Sequence, residues 1–338
     1  MTQLLFLTTL VSGTLISISS NSWFSAWMGL EINLLSFIPL MTHSKNSLST
    51  EATLKYFLIQ ALASIIFLFS TTLMQFFSFN SSIFFNNFFI MLISSTLLLK
   101  MGAAPFHFWF PGTMEGLNWN NCFILMTWQK IAPLILLSYL LKMNLFTSII
   151  IVLSVIIGSL GGLNQTSLRK LLAYSSINHL GWLIAAMVCS ENLWELYFII
   201  YTFLTLSLIF MFSTHQLFHL NQSFLTLNSM NSFKLLLYLT LLSLGGLPPF
   251  LGFLPKWMVI QSLVSINSSF ITFIMVIMTL ITLFYYIRLS FSAFLLNYSQ
   301  MKWININSSS NFSLIFSIIT ASISSLGLLM CSLIFNFL

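Results

Sequence analysis

Charged residues are scarce in this sequence, and aspartate is absent altogether. Only 5% of the 338 residues are charged and 58% are hydrophobic, whereas a soluble domain carries about 25% charged residues. A chain with so few charges cannot cover its surface with solvated groups. Apolar runs of about 20 residues recur instead, which is the length of a membrane-crossing helix. The composition therefore excludes a soluble domain and predicts an all-α polytopic membrane protein.

Cysteine and N-terminal charge are also scarce. The three cysteines, Cys122, Cys189 and Cys331, stand apart, with no CxxC pair and no His/Cys cluster. This spacing predicts neither a disulfide framework nor a metal site. No basic residue precedes Lys45, which argues against an Arg-rich transit peptide and against a secretory signal. A nucleotide-binding glycine fingerprint is missing as well, so we expect no NADH, flavin or iron–sulfur cluster on this chain.

Polar clusters divide the apolar runs into eleven candidate spans. Their approximate limits are 4–20, 23–41, 52–77, 84–111, 119–141, 145–164, 168–188, 193–219, 233–268, 270–296 and 313–336. The fourth and ninth spans are too long and too rich in glycine and proline to be simple helices. Each of these two is therefore predicted to be a broken helix.

Basic residues in the loops predict the orientation of the chain. With eleven spans the termini lie on opposite sides, and the loops on the side opposite the N-terminus hold only Lys142. The loops on the N-terminal side hold Lys45, Lys55, Arg169, Lys170, Lys234 and Lys302. This excess places the N-terminus on the cytoplasm-equivalent face, which Arg288 at the end of the tenth span can also reach. The net charge of +6 thus reports topology and not nucleic-acid binding.

Five of the seven prolines fall in two short stretches that match each other. "GAAPFHFWFP" runs from Gly102 to Pro111 and "GLPPFLGFLP" from Gly246 to Pro255, without a gap and 144 residues apart. Because the offset equals five spans, the matching segments cross the membrane in opposite directions, as in an inverted-topology repeat. We predict one transmembrane domain with a first repeat at 1–142, a second at 143–297 and a C-terminal helix at 313–336. The alternative is that these prolines only kink two unrelated helices.

Five ionisable residues lie inside spans, where a charge at mid-bilayer costs roughly 2.5–3.5 kcal/mol. They are Glu31, Lys100, Lys130, His179 and Lys256. Such residues face the bundle interior and are candidates for function. The alternatives are a structural ion pair, a snorkelling lysine or, for His179, a neutral hydrogen-bond donor between helices. Because burial makes a lysine easier to deprotonate, these bases and one acid are predicted to form a proton relay.

One stretch resembles a known family. "GGLNQTSLRKLLAYSSINHLGW", Gly161 to Trp182, is similar to the signature of the proton-translocating antiporter-like family, which includes membrane-arm subunits of respiratory complex I and subunits of cation/proton antiporters. The matching residues are Gln165, Lys170, Ala173, Tyr174, Ser175, Ser176, His179 and Gly181. "GLEINLLSFIPL", "LLLKMGAAPFHFWFP", "TWQKIAPL" and "SLGGLPPFLGFLPKW" match in the same order. Family members usually have fourteen core helices, and loss of the first three is known in animal mitochondrial members.

The resemblance implies roles for the buried charges. Glu31 is similar to the family's glutamate that pairs with the lysine of the first broken helix, here Lys100. Lys130 is similar to the central relay lysine and Lys256 to the lysine of the second broken helix, while His179 lies in the central histidine motif. These roles imply a proton path in the mitochondrial inner membrane, with the N-terminus on the matrix side.

The resemblance also implies partners. The proton path would be driven by reactions elsewhere, with NADH, FMN, iron–sulfur clusters and ubiquinone on other subunits. Partners would be the other membrane-arm subunits, including antiporter-like neighbours and accessory subunits, and membrane lipids. A cation/proton antiporter subunit and a structural spacer that no longer carries protons are the alternatives. The small number of acids argues against the antiporter.

Overall fold

A computed structural model of the chain describes residues 2–42, 46–77, 83–226, 231–295 and 311–337. Within these ranges the regular elements are α-helices, with one isolated antiparallel bridge between Ser167 and His219. Helices suit an apolar chain because each satisfies its backbone N–H and C=O groups internally. Lys45 and Lys302, which the topology prediction used, lie outside the described residues.

The described residues form fifteen helices in two compact units. Unit 1 is Met1–Ile150 and unit 2 is Ile151–Leu338. The helices are α1 (Thr2–Ile18), α2 (Trp23–Met41), α3 (Ser47–Phe77), α4 (Ile83–Met101), α5 (Trp109–Gly116), α6 (Trp119–Met126), α7 (Trp128–Ser138), α8 (Leu145–Gly162), α9 (Leu168–Cys189), α10 (Glu191–Thr214), α11 (Leu220–Thr226), α12 (Asn231–Gly245), α13 (Phe253–Ser265), α14 (Ser269–Leu295) and α15 (Asn311–Phe337). The protein is therefore a helical membrane protein, as its composition predicts.

Seven stretches of the described residues are long and apolar enough to cross a membrane. They are Trp23–Met41, Ser47–Phe76, Trp119–Ser138, Leu145–Gly162, Leu168–Cys189, Glu191–Thr214 and Ser269–Phe294. The predicted first, fourth, ninth and eleventh spans coincide with shorter apolar helices. In the fourth and ninth spans the helix is short because the chain breaks, at Gly102 and Gly246. The count of eleven spans stays a prediction.

Small residues bring α1 and α2 together in unit 1. A Cβ added at Gly13 would lie 2.9 Å from the Asn33 backbone nitrogen, and one added at Gly29 would lie 2.6 Å from that of Ser17. Helices in membranes associate by such close contacts, since lipid tails are as apolar as leucine and provide no hydrophobic driving force. This contact holds α2, which carries Glu31, at a fixed position against α1.

The two predicted breaks end in the same local structure. At the end of α4 the Gly102 N–H bonds to the Leu99 carbonyl at 3.2 Å and the Ala103 N–H to Leu98 at 3.1 Å. At the end of α12 the Gly246 N–H bonds to the Ser243 carbonyl at 3.0 Å and the Leu247 N–H to Leu242 at 3.5 Å. Both pairs form a Schellman motif. Both glycines are left-handed, with φ of +76° and +85°.

Lys234, predicted to be a loop or helix-end charge, stands at a helix end and is also buried. It lies in the first turns of α12, only 3% exposed, and its Nζ is 6.0 Å from the centre of the Phe294 ring. An apolar run follows Lys234 directly in the sequence, and this pattern predicts a lysine at a helix end near the membrane surface. α14, which carries Phe294, packs against α12 and contributes to this burial.

Substitution of Gly246 tests whether the second break requires a left-handed residue. We expect Gly246→Ala to destabilise the protein by about 1–2 kcal/mol, because an L-residue is disfavoured in the left-handed region. Its Cβ would also lie 3.0 Å from Lys256 Nζ. Gly112 in α5 is the matched control, since a Cβ there meets no atom within 4 Å. Gly112→Ala is expected to be neutral or stabilising. Thermal unfolding in detergent measures both, and equal effects would contradict this assignment.

Candidate functional site

Two of the predicted lysines line one cavity in unit 1. Lys100 lies in the last turn of α4 and Lys130 in the first turn of α7, and both line the cavity. They are 7% and 1% exposed. The cavity volume is about 20 Å³, and a water molecule needs about 10–15 Å³ of such space. The two ammonium-bearing side chains therefore share a space that admits one or two waters.

Neutral side chains satisfy the backbone at the end of α4. Gln60 Nε2 donates to the Lys100 carbonyl at 3.1 Å, and Trp109 Nε1 donates to the Leu99 carbonyl at 3.1 Å. A helix that ends inside a membrane leaves its last carbonyls without partners unless other groups donate to them. Because Gln60 and Trp109 serve this need, the Lys100 side chain is available to the cavity.

The backbone around Lys130 is irregular on both sides. Thr127 separates α6 from α7, so the span predicted at 119–141 is not one uniform helix. The Lys130 N–H bonds to the Thr127 carbonyl at 3.1 Å. One turn later Pro133 lacks an N–H and cannot donate to the Gln129 carbonyl. Both Pro133 and Gln129 line the cavity, so the loosened turn adds polar surface to it.

The Lys130 ammonium lies 5.2 Å from the centre of the Phe110 ring, a distance at which the ring face attracts a cation. Gln129 Nε2 donates to Asn33 Oδ1 at 3.0 Å and thereby joins α7 to α2. Asn33 lies two residues after Glu31 on α2 and lines the same cavity. The first unit thus places amides, an aromatic face and two lysines around one small space.

Glu31 lies beside this group. It is near enough to Lys100 for its carboxylate to act electrostatically on the ammonium. No ion pair within 4.0 Å joins Glu31 to Lys100, whereas Lys55 and Glu51 at the start of α3 form one. Glu31 Oε1 is buried without a hydrogen-bond partner. Reach through a single water stays a prediction.

Lys256 holds the second break in unit 2. It lies in α13, 5% exposed, and its Nζ donates to the Gly245 carbonyl at 2.7 Å. Gly245 is the last residue of α12. A carbonyl at a helix end carries partial negative charge and attracts a cation. Lys256 therefore donates a hydrogen bond to the last carbonyl of α12, as Gln60 and Trp109 donate to the last carbonyls of α4.

His179 lies in a group of hydroxyls in unit 2. Its Nδ1 and the Tyr197 hydroxyl are 2.8 Å apart, and its ring centre is 5.1 Å from that of Tyr201. The Tyr201 hydroxyl faces Ser176. Tyr286 faces Ser175 and packs against Gly245, whose carbonyl accepts the Lys256 bond. His179 is thus part of a polar cluster formed by α9, α10 and α14.

The structure adds residues that sequence reasoning missed. In unit 1 these are Gln60, Gln129 and Asn33, and in unit 2 they are Tyr197 and Tyr286. A polar residue in mid-span, such as Gln60 in "FLIQALAS", was a visible signal. The tyrosines were not visible as functional because buried tyrosine is common in apolar cores. Within the described residues no group of three His, Cys, Asp or Glu side chains could hold a metal ion.

Comparison with known proteins identifies relatives of this chain. The family model described as NADH:quinone oxidoreductase/Mrp antiporter, transmembrane, matches residues 20–282. NADH-ubiquinone oxidoreductase chain 2 of Anopheles gambiae is 57% identical over 337 residues, 98% of this chain and 97% of that protein. The protein of the same name from Aedes aegypti is 59% identical over 333 residues, again covering 98% and 97%.

Solved structures show the same fold. A chain of respiratory complex I from Thermus thermophilus superposes with a TM-score of 0.85 at 22% identity, covering 96% of this chain and 77% of that one. At this identity the likeness concerns the fold alone. The match of the family model over most of the chain concerns the sequence as well. The chain therefore belongs to the NADH:quinone oxidoreductase/Mrp antiporter transmembrane family.

Proposed function

We propose that this chain is a proton-translocating membrane subunit of respiratory complex I in the mitochondrial inner membrane, equivalent to chain 2 of NADH-ubiquinone oxidoreductase. It is then part of an enzyme, the proton-translocating NADH:ubiquinone reductase, without carrying a redox centre itself. The names and identities of the mosquito relatives support this assignment. In this membrane the N-terminus lies on the matrix side. The excess of basic residues in the loops on the N-terminal side favours this orientation.

The proposed architecture is two inverted five-helix repeats, 1–142 and 143–297, each with a broken fourth helix, and a C-terminal helix at 313–336. Gly102 and Gly246, 144 residues apart, support this layout because each ends its helix in the same left-handed motif. Broken helices in paired repeats are the usual place of ion sites in transporters. Superposition of spans one to five on spans six to ten, after a half-turn, tests the layout.

The cavity shared by Lys100 and Lys130 is the observation that carries the function. Lysine can lose its proton, and its ammonium has three donors that reorient as the stem rotates. A water between the two side chains can pass a proton from one nitrogen to the other. The Glu31 carboxylate stabilises the charged form of Lys100, so a change near Glu31 would release the proton towards Lys130.

In unit 2 the relay groups are Lys256 and His179. Lys256 donates to the Gly245 carbonyl at 2.7 Å, the Tyr286 ring packs against Gly245, and the Tyr201 ring packs against the His179 ring. Hydroxyls both donate and accept hydrogen bonds, so they can carry a proton between the two bases. NADH, FMN, iron–sulfur clusters and ubiquinone would bind other subunits, and the membrane-arm neighbours, accessory subunits and lipids would surround this chain.

A cation/proton antiporter is less favoured by the site. Sodium sites in transporters use carboxylates and unwound backbone carbonyls, and Glu31 is the acid that acts on Lys100. A structural spacer would need neither a cavity between the lysines nor a carboxylate acting on one of them. Both alternatives predict a different outcome for the following test.

Glu31→Gln in the assembled complex tests the function. We expect NADH-driven proton uptake into liposomes to fall about tenfold, since Lys100 loses the carboxylate that acts on its ammonium and a lost interaction of about 1.4 kcal/mol is a tenfold change in rate. NADH oxidation with a hydrophilic acceptor should be unchanged. Exposed Glu191 supplies the control, Glu191→Gln. Where the organelle gene cannot be changed, the equivalent glutamate of a bacterial homologue can be substituted instead.

Two results would contradict the proposal. Uptake that needs sodium in the medium would favour the antiporter, and undiminished uptake by the Glu31→Gln complex would favour the spacer. A pH-sensitive dye inside the liposomes, read with and without sodium, distinguishes these results.

A further inference from the structure

A second, larger cavity lies in unit 2, lined in part by Arg288 and His219. Its volume is about 440 Å³, within the range of small-molecule sites. Its polar lining consists of Arg288, His219, Thr166, Asn221 and Ser292, with two leucines between them. This composition offers hydrogen-bond donors and a positive charge, and no carboxylate.

Backbone contacts fix one wall of this cavity. The Leu168 N–H donates to the Phe218 carbonyl at 2.9 Å and the Leu220 N–H to the Thr166 carbonyl at 3.1 Å. The Gln222 side chain accepts from the backbone N–H groups of Phe218 and His219 at 2.8 and 3.1 Å. The segment around Thr166 and the one around His219 are thus held together, so their side chains line the cavity from set positions.

Arg288 supplies the charge on the other wall. It is exposed, and in the described part of the chain it has no ion pair or hydrogen bond. The acids of unit 2, Glu191 and Glu195, lie in the first turns of α10, whereas His219 follows the end of that helix. Its 24 residues span about 36 Å. The cavity lining contains no carboxylate and the two acids of unit 2 lie at the far end of α10, so Arg288 is open to an anion from outside unit 2.

An apolar stripe on α14 leads up to Arg288. Phe273, Ile277, Leu280 and Phe284 are 64%, 38%, 59% and 55% exposed. Spacings of four, three, four and four residues place them on one helix face with Arg288 at the top. Acyl chains would pack along such a stripe while a phosphate meets the guanidinium, which binds phosphate oxygens in a two-pronged geometry.

We propose that this cavity binds the phosphate of an anionic glycerophospholipid, whose acyl chains lie along the α14 stripe. A choline headgroup would place a second cation near Arg288, which disfavours zwitterionic lipid. Basic pockets between helices on the matrix side of a membrane protein bind acidic lipid headgroups. The site is separate from the lysine cavity and does not depend on the proposed proton path.

The test measures lipid bound to the full chain in detergent by native mass spectrometry. We expect one phosphatidylglycerol per chain, with at least about tenfold preference over phosphatidylcholine. Arg288→Gln should weaken phosphatidylglycerol binding about tenfold, and Arg288→Lys by less, since lysine keeps a point charge. Phe284→Ala should weaken it as well. Circular dichroism checks that each variant is folded.

Three outcomes would overturn the site. Lys142 is an exposed lysine in unit 1, and an equal loss in Lys142→Gln would mean that binding follows net charge alone. Displacement of the lipid by millimolar inorganic phosphate would assign the cavity to free phosphate. Equal binding of phosphatidylcholine would mean that the stripe is coated by any bilayer lipid.

Discussion

Lys130→Arg is expected to abolish proton pumping while leaving assembly of the complex near normal. Arginine keeps the positive charge and the contact with the Phe110 ring, but it does not lose its proton in a protein. A group that transfers protons contributes about 10²–10⁴-fold to a rate, so we expect coupled pumping to fall at least about a hundredfold.

Lys130→Met separates proton transfer from packing. Methionine fills a similar volume without charge and removes the cost of burying an ammonium, so this complex should assemble and fail to pump. Lys130→Ala should fail to pump and also leave a cavity, at about 2–5 kcal/mol. The measurement is proton uptake per NADH in liposomes, with assembled complex counted on native gels and Lys142→Arg as control. Normal pumping by either Lys130→Arg or Lys130→Met would contradict the relay and favour a structural lysine.

Lys256→Met should fail to pump and, unlike Lys130→Met, also lose stability. The Lys256 ammonium donates to the Gly245 carbonyl at 2.7 Å, and methionine cannot replace that donor. A buried carbonyl without a partner costs about 1–3 kcal/mol. Lys256→Arg keeps a charged donor and should restore stability without restoring pumping.

The comparison between the two lysines is made on the same preparations. Thermal unfolding followed by intrinsic fluorescence should place Lys256→Met below Lys130→Met and below Lys256→Arg. If Lys256→Met is as stable as Lys130→Met, the bond to Gly245 is not structural. If Lys256→Arg pumps, Lys256 acts only as a fixed charge at the helix end.

Some features follow from the sequence because they depend on neighbours along the chain. Few charges and long apolar runs exclude water as the solvent, so a helical membrane protein is the only outcome that satisfies the backbone. The two glycine–proline stretches end helices locally, since glycine at the C′ position and proline beyond it act within one turn. The five ionisable residues within the spans could be named in the same way, because each stands inside an apolar run.

Other features were decided by the tertiary structure. Glycine and proline predict where α4 stops, but not that Gln60 and Trp109 donate to its last carbonyls while Lys256 does so for α12. The sequence places Lys234 at a helix end, whereas its burial depends on tertiary packing, with the Phe294 ring of α14 beside it. The cavity between Lys100 and Lys130 exists because the six helices α2 to α7 leave a gap where they meet. Helical periodicity tells which residues share a face, whereas the partner of that face depends on contacts between helices far apart in the chain.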